Sequence, residues 1–129
     1  MPATILLTGG AGFIGSHTYL ALIEAGYDVV IVDNFSNCAR DVPDRLGQII
    51  GAEVQFYDVD VADPVALDTV FAAHRFDAVV HFAAKKSVPQ SLASPERFFN
   101  SNITTLLALM RVMERRNVRR IVYSSSATV

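Results

Sequence analysis

Apolar residues in this chain fall into short unbroken runs, and the stretches between the runs carry apolar residues at three- and four-residue spacing. Ile5-Leu6-Leu7, Val29-Val30-Ile31-Val32 and the nearly all-apolar segment 77–82 lack the alternation of a strand with one wet face. They read as strands covered on both faces, which is how a parallel sheet is built. Strands are predicted over residues 5–8, 28–32, 53–58, 77–82 and 119–125, and helices over residues 13–25, 43–50, 64–74 and 95–116. The helix ends carry their own chemistry. Gly26 suits a C-cap, Pro43 a first-turn position, Asp63-Pro64 an N-cap and N1 pair, and Ser94-Pro95-Glu96 opens the longest helix. In the first helix Ile14, Leu20, Leu22 and Ile23 supply much of the apolar side. In the last, Phe99, Ile103, Leu106, Met110 and Met113 make one stripe, with Phe98, Leu109 and Val112 off it, so one sheet contact would not cover them all.

Strand–helix alternation with doubly buried strands implies right-handed crossovers and an α/β, Rossmann-type, doubly wound parallel sheet. The expected strand order is 3-2-1-4-5, and a ligand would lie beyond the carboxyl ends of the strands where the winding reverses, between strands one and four. At the first of those ends the chain reads Thr8-Gly9-Gly10-Ala11-Gly12-Phe13-Ile14-Gly15. A strand that runs through a glycine-rich turn into a helix can bring backbone N–H groups against a pyrophosphate, and a Cβ at the closest positions would block that approach. Gly15, one turn into the helix, lets helix and strand pack closely, and the helix N-terminus turns its partial positive charge to the phosphates. Asp33, at the end of the second strand, stands where an acid can accept a hydrogen bond from a ribose hydroxyl.

Composition narrows the class further. With 129 residues, 51% of them hydrophobic and 19% charged, the chain suits one globular core. A net charge of −2 with both signs interspersed gives no reason to expect nucleic acid or an anionic membrane as partner. No apolar run reaches the ~20 residues that cross a bilayer. Cys38, the only cysteine, reads as a loop residue without a redox role, and with no secretory signal ahead of the first strand a reducing, cytoplasmic location is expected. His17, His74 and His81 show no metal-ligand spacing with one another or with Cys38. No metal is expected, and none of the three histidines is assigned catalysis. His74 suits a helix C-terminus, and His81 reads as a buried strand residue.

The strand ends are more specific. Residues 8–17, Asp33-Asn34, Asp60-Val61, His81-Phe82-Ala83-Ala84, Lys86, Asn102 and Ser124-Ser125-Ser126-Ala127-Thr128-Val129 together resemble the extended short-chain dehydrogenase/reductase superfamily, most closely its UDP-glucose 4-epimerases. The resemblance spans the chain and implies an NAD-dependent isomerase of galactose metabolism. Such an enzyme takes hydride from C4 of a UDP-hexose and returns it to the opposite face. On this resemblance Gly9, Gly12, Phe13, Ile14 and Gly15 line the pyrophosphate. Asp33 and Asn34 hold the adenosine ribose, where a carboxylate would repel the extra phosphate of NADP, and Asp60 and Val61 contact adenine. Phe82, Ala83 and Ala84 pass along the cofactor, Lys86 reaches the nicotinamide-side ribose, and Asn102 and Ser124 bond on the cofactor side. Ser126 is the catalytic, substrate-side serine that assists a tyrosine. Bland readings stand beside some of these. Asp58, Asp60 and Asp63 also make a solvated acidic turn, Phe82 also suits the core, and Asn102 could bond a neighbouring loop. Lys85 occupies a place where the family has an apolar residue, which leaves open which of the two lysines faces the cofactor.

The superfamily's proton chemistry uses a Tyr-x-x-x-Lys pair in which nearby positive charge lowers the tyrosine pKa. Here Tyr19, Tyr27, Tyr57 and Tyr123 are followed four positions on by Ile23, Ile31, Val61 and Ala127. The family pattern puts a tyrosine directly after Val129 and the pair further downstream. Residues 1–129 are therefore expected to be an NAD(P)-binding domain incomplete at its C-terminus, lacking the substrate domain and inactive alone. The expected partners are a UDP-hexose in the complete protein and a second copy through helix 94–116. The open alternatives are another NAD-dependent nucleotide-sugar epimerase or dehydratase, and a non-catalytic dinucleotide-binding or interaction module.

Overall fold

Strands without a wet face must be covered twice, and the computed structural model covers them with helices on both sides. It describes residues 3–10, 13–34, 41–82 and 95–123, with the backbone alone for residue 13 and residues 95–102. The order is β1 (Thr4–Thr8), α1 (Phe13–Glu24), β2 (Asp28–Asp33), α2 (Val42–Ile50), β3 (Gln55–Asp58), α3 (Pro64–Ala73), β4 (Ala78–His81), α4 (Pro95–Arg115) and β5 (Ile121–Tyr123). The strands form one parallel sheet in the order β3-β2-β1-β4-β5, as the alternation of elements predicts. On one face Leu6, Val30, Val32 and Val79 pack against Leu67, Val70 and Phe71 of α3 and Leu109, Val112 and Met113 of α4. On the other, Leu7, Val29 and Ile31 pack against Tyr19 of α1 and Leu46 of α2.

The helix ends follow their capping residues. Asp63 Oδ1 accepts the N–H groups of Val65 and Ala66 at 3.1 and 3.2 Å ahead of Pro64, which satisfies two donors that the first turn of α3 leaves without helical partners. α1 ends at Gly26, whose φ of 95° lets its N–H reach the Ile23 carbonyl and the Tyr27 N–H reach that of Leu22, a Schellman closure. Arg116, just past α4, grips Asp68 of α3 through two 3.0 Å bonds. That hydrogen bond, with the charges of Arg116 and Arg115, holds the Asp68 carboxyl below its ordinary range against a smaller opposing effect of desolvation. The pair's support is present above the ordinary carboxylate pKa and is lost as pH falls through the lowered one. Its exposure to water keeps it modest.

Two helix faces differ from the sequence reading. In α1 Leu20, Leu22 and Ile23 pack against the core as read, but the fully buried side chain is Tyr19, and Ile14 is 59% exposed. The polar residues Ser16, His17, Thr18 and Glu24 are spread around the helix, so periodicity alone leaves its rotation undetermined. The face is set by Gly15, which lies against the turn after β1, and Tyr19 and Leu22 follow it at i+4 and i+7 on the same row. In α4 the buried row is Thr105, Ala108, Leu109, Val112 and Met113, whereas Ile103, Leu107 and Met110 are 41–50% exposed. Of the stripe read from the sequence, Met113 is buried, whereas Ile103 and Met110 are exposed. Leu109 and Val112, read as lying off it, are buried beside the small residues Thr105 and Ala108, which permit closer approach of the helix, a criterion that hydrophobic content does not weigh.

This assignment of α4 is open to a direct check. At low chain concentration, Leu109→Ala should lower the unfolding free energy in urea by about 2–5 kcal/mol, while Met110→Ala should change it by no more than about 0.5 kcal/mol. Equal losses, or the reverse order, would contradict the observed face.

Candidate functional site

The carboxyl ends of β1 and β4 lie side by side, with Thr8 the register partner of His81. From there the chain departs in opposite directions, to α1 on one face of the sheet and α4 on the other, which leaves a crevice between the two exits. The glycine turn forms one wall. Gly9 has φ 72°, a conformation that side-chain-bearing residues rarely adopt, and its N–H donates to the Val32 carbonyl at 2.8 Å. It therefore fixes the turn to β2. A Cβ on Gly10 would lie 2.8 Å from two carbons of the Ile31 side chain. A Cβ on Gly15 would collide with the Gly9 carbonyl oxygen, with further backbone atoms of Gly9 and Gly10 at 2.9 Å. Helix N-terminus and strand end are thus pressed together with no room for a side chain, and the amino end of α1 faces the crevice.

The remaining expected site residues are placed as follows. Ile14 is exposed in the first turn of α1. Asp33 closes β2, its carbonyl accepting the Val59 N–H, and Asn34 follows it exposed at the surface. Asp58, the register partner of Asp33 on β3, sets a second acid beside it. Asp60 Oδ1 accepts the Ala62 N–H at 2.9 Å and so shapes the turn before α3. Val61 is 3% exposed and belongs to the core between the sheet and α3. Phe82, half-buried, packs with the cluster under α1 and α2. Phe13 and Asn102 are described only as positions in α1 and α4. Gly12, Ala83, Ala84, Lys86, Ser124 and Ser126 lie outside the described residues, as do Lys85 and Cys38. Among the described residues no three of His, Cys, Asp and Glu gather as metal ligands would, and no helix is long and apolar enough to cross a membrane.

Sequence reasoning left Thr8 without a role and gave His81 only burial. Both are fully buried. The Thr8 hydroxyl lies 2.6 Å from His81 Nδ1 and accepts the Phe82 N–H at 3.0 Å. The available signal was a polar residue closing each of two apolar strands that the predicted order makes neighbours.

Residues 5–129 match the sequence model of the NAD dependent epimerase/dehydratase family. The chain is 45% identical over 125 residues to UDP-glucose 4-epimerase of Bacillus subtilis, covering 97% of this chain and 37% of that protein. It is 48% identical over 126 residues to a UDP-glucose 4-epimerase of Schizosaccharomyces pombe, covering 98% and 36%. Its fold matches the crystal structure of UDP-glucose 4-epimerase from Bifidobacterium longum in complex with NAD+ and UDP, with a TM-score of 0.93, 45% identity, and coverage of 98% of this chain and 38% of that one. The chain thus spans little more than a third of the length of these relatives.

Proposed function

The chain belongs to the NAD dependent epimerase/dehydratase family, and from that premise we propose that it is the NAD-binding domain of a UDP-glucose 4-epimerase. The observation that carries this reading is the turn at residues 9–15, built so tightly that neither Gly10 nor Gly15 admits a Cβ, set at the winding reversal and answered by Asp33 at the end of β2. When bound, NAD supplies the acceptor and donor of hydride for C4 of the UDP-hexose. The chain's own part is to bind and orient. The amino end of α1 attracts the pyrophosphate. Asp33 accepts from the adenosine ribose, and the neighbouring Asp58 adds a second negative charge where NADP would bring its phosphate. Asp60 and Val61 border adenine. Phe82, Ala83 and Ala84 border the cofactor further along, Lys86 reaches its nicotinamide-side ribose, Asn102 and Ser124 bond on the cofactor side, and Ser126 orients the proton-transfer partner on the substrate side. On this reading the substrate domain and the Tyr-x-x-x-Lys pair lie outside residues 1–129.

The 129 residues alone, without such a pair, are inactive, and the protein that carries them at the length of the relatives interconverts UDP-glucose and UDP-galactose. An assay of both for this interconversion tests the proposal. In the longer protein Asp33→Ala should raise the NAD concentration for half-maximal activity roughly tenfold or more, the scale of a lost hydrogen bond to a charged group, and reduce the preference over NADP. A longer protein that is inactive on both sugars, or an Asp33→Ala variant with unchanged cofactor dependence, would contradict it.

A second copy of the chain is the proposed partner of helix 94–116. Ile103, Leu107 and Met110 form a second apolar row, at i, i+4 and i+7, on the side of α4 away from the sheet. Sedimentation over a range of concentrations should show dimers, and Leu107→Lys should shift them to monomers. Monomers at every concentration of the unaltered chain would defeat this assignment.

A further inference from the structure

Backbone pairing fixes the distance between β1 and β4 only as far as Thr8 and His81. Beyond them the two exits diverge, and whatever holds the crevice walls at their proper separation must be side-chain chemistry or the last backbone bond. The sequence puts a hydroxyl and an imidazole at this boundary, at the ends of strands whose other inward positions are Leu6 and Val79. A polar pair sealed in an apolar sheet costs stability unless its members bond well, and a pair of apolar residues would fill the same space. The observed bonds all converge on the divergence point. Thr8 Oγ1 meets His81 Nδ1 at 2.6 Å. The Phe82 N–H, the first beyond β4, is shared between Thr8 Oγ1 at 3.0 Å and the Thr8 carbonyl at 2.9 Å. Tyr123, the partner of His81 on β5, stacks on the imidazole with centroids 5.6 Å apart and planes 26° apart. On the opposite side, the residue after Thr8 is tied to β2 through the Gly9 N–H. These bonds and the ring stack together tie β2, β1, β4 and β5 to one another near their carboxyl ends.

We propose that Thr8 and His81 form a clasp that sets the spacing between the glycine turn and the exit of β4, and that they are positioning residues for the dinucleotide. This rests on the cofactor reading given above. Neither residue touches the ligand in this account. Thr8 acts through the Phe82 backbone and the turn that begins at Gly9, and His81 acts through Thr8 and the Tyr123 ring. A small widening is costly because the turn and the β4 exit grip one rigid ligand from two sides, and a shift on the scale of 1 Å can cost about a hundredfold where geometry is critical.

Thr8→Val keeps the shape and removes both side-chain bonds, and Thr8→Ser keeps the hydroxyl. His81→Phe keeps a ring for Tyr123 and removes the bond to Thr8, which gives a second test should Thr8→Val fail to fold. NAD affinity by calorimetry and amide hydrogen exchange of the cofactor-free chain are the two readouts. The clasp predicts that Thr8→Val and His81→Phe weaken NAD binding at least tenfold at temperatures where the chain is folded. It also predicts faster exchange at Gly9 and Phe82 than at Leu6 and Val79, relative to the unaltered chain, with Thr8→Ser restoring both. Unchanged NAD affinity in the disrupting variants, or faster exchange spread evenly along β1 and β4, would mean that the pair only stabilises the sheet and would overturn the proposal. An unaltered chain that binds no NAD would defeat the cofactor reading itself and the positioning role with it.

Discussion

Everything at the ligand-binding end of this fold depends on how closely the first turn of α1 approaches the end of β1. Gly15 rests against the Gly9 carbonyl, Gly10 sits under the Ile31 side chain, and Gly9 turns the chain with a positive φ. None of these contacts survives a side chain. The close approach also sets the rotation of α1, since Tyr19 and Leu22 continue the Gly15 row into the core. It aims the helix N-terminus at the crevice as well. Packing and the proposed recognition thus fall to the same atoms: the compression that seats the helix is the one proposed to clear a path for a pyrophosphate.

The two ends of the sheet carry different chemistry. At the amino end, the Asp77 carboxylate accepts the Thr4 N–H and Arg116 holds Asp68, polar ties that join elements and hold no pyrophosphate-type geometry. At the carboxyl end stand the acids Asp33, Asp58 and Asp60, the glycine turn, and the buried Thr8–His81 pair. The α/β winding explains the asymmetry. Every β-to-α exit is at the carboxyl end, so residues adjacent to a ligand there come from several strands, whereas the amino end is crossed only by returns from the helices.

The fold was legible because its three central strands are apolar without alternation and its helix ends are chemically marked. Val29-Val30-Ile31-Val32 could only be a doubly covered strand, Asp63-Pro64 capped α3 as expected, and the order 3-2-1-4-5 followed. The rotation of the helices was legible only in part. In α1 the polar residues are spread around the helix, and α4 offers two apolar rows, of which the one that meets the sheet carries the small residues Thr105 and Ala108. At the site, the glycine turn and Asp33 could be read from type and spacing alone. The burial of Val61 and the Thr8–His81 bond could not, since both arise from which strands become neighbours and how deeply the turn after β3 tucks under α3.

The central claim is that the crevice between the β1 and β4 exits holds NAD. The most direct measurement is a nuclear magnetic resonance titration of the isotopically labelled chain with NAD and, separately, with NADP. The account predicts that NAD shifts the amide signals of Gly9, Gly10, Gly15, Asp33, Asn34 and Phe82 and leaves those of Asp77, Asn117 and Val118, at the amino end of the sheet, unmoved, with NADP producing the same shifts only at higher concentration. Shifts centred on the amino end, or none at the glycine turn, would contradict it.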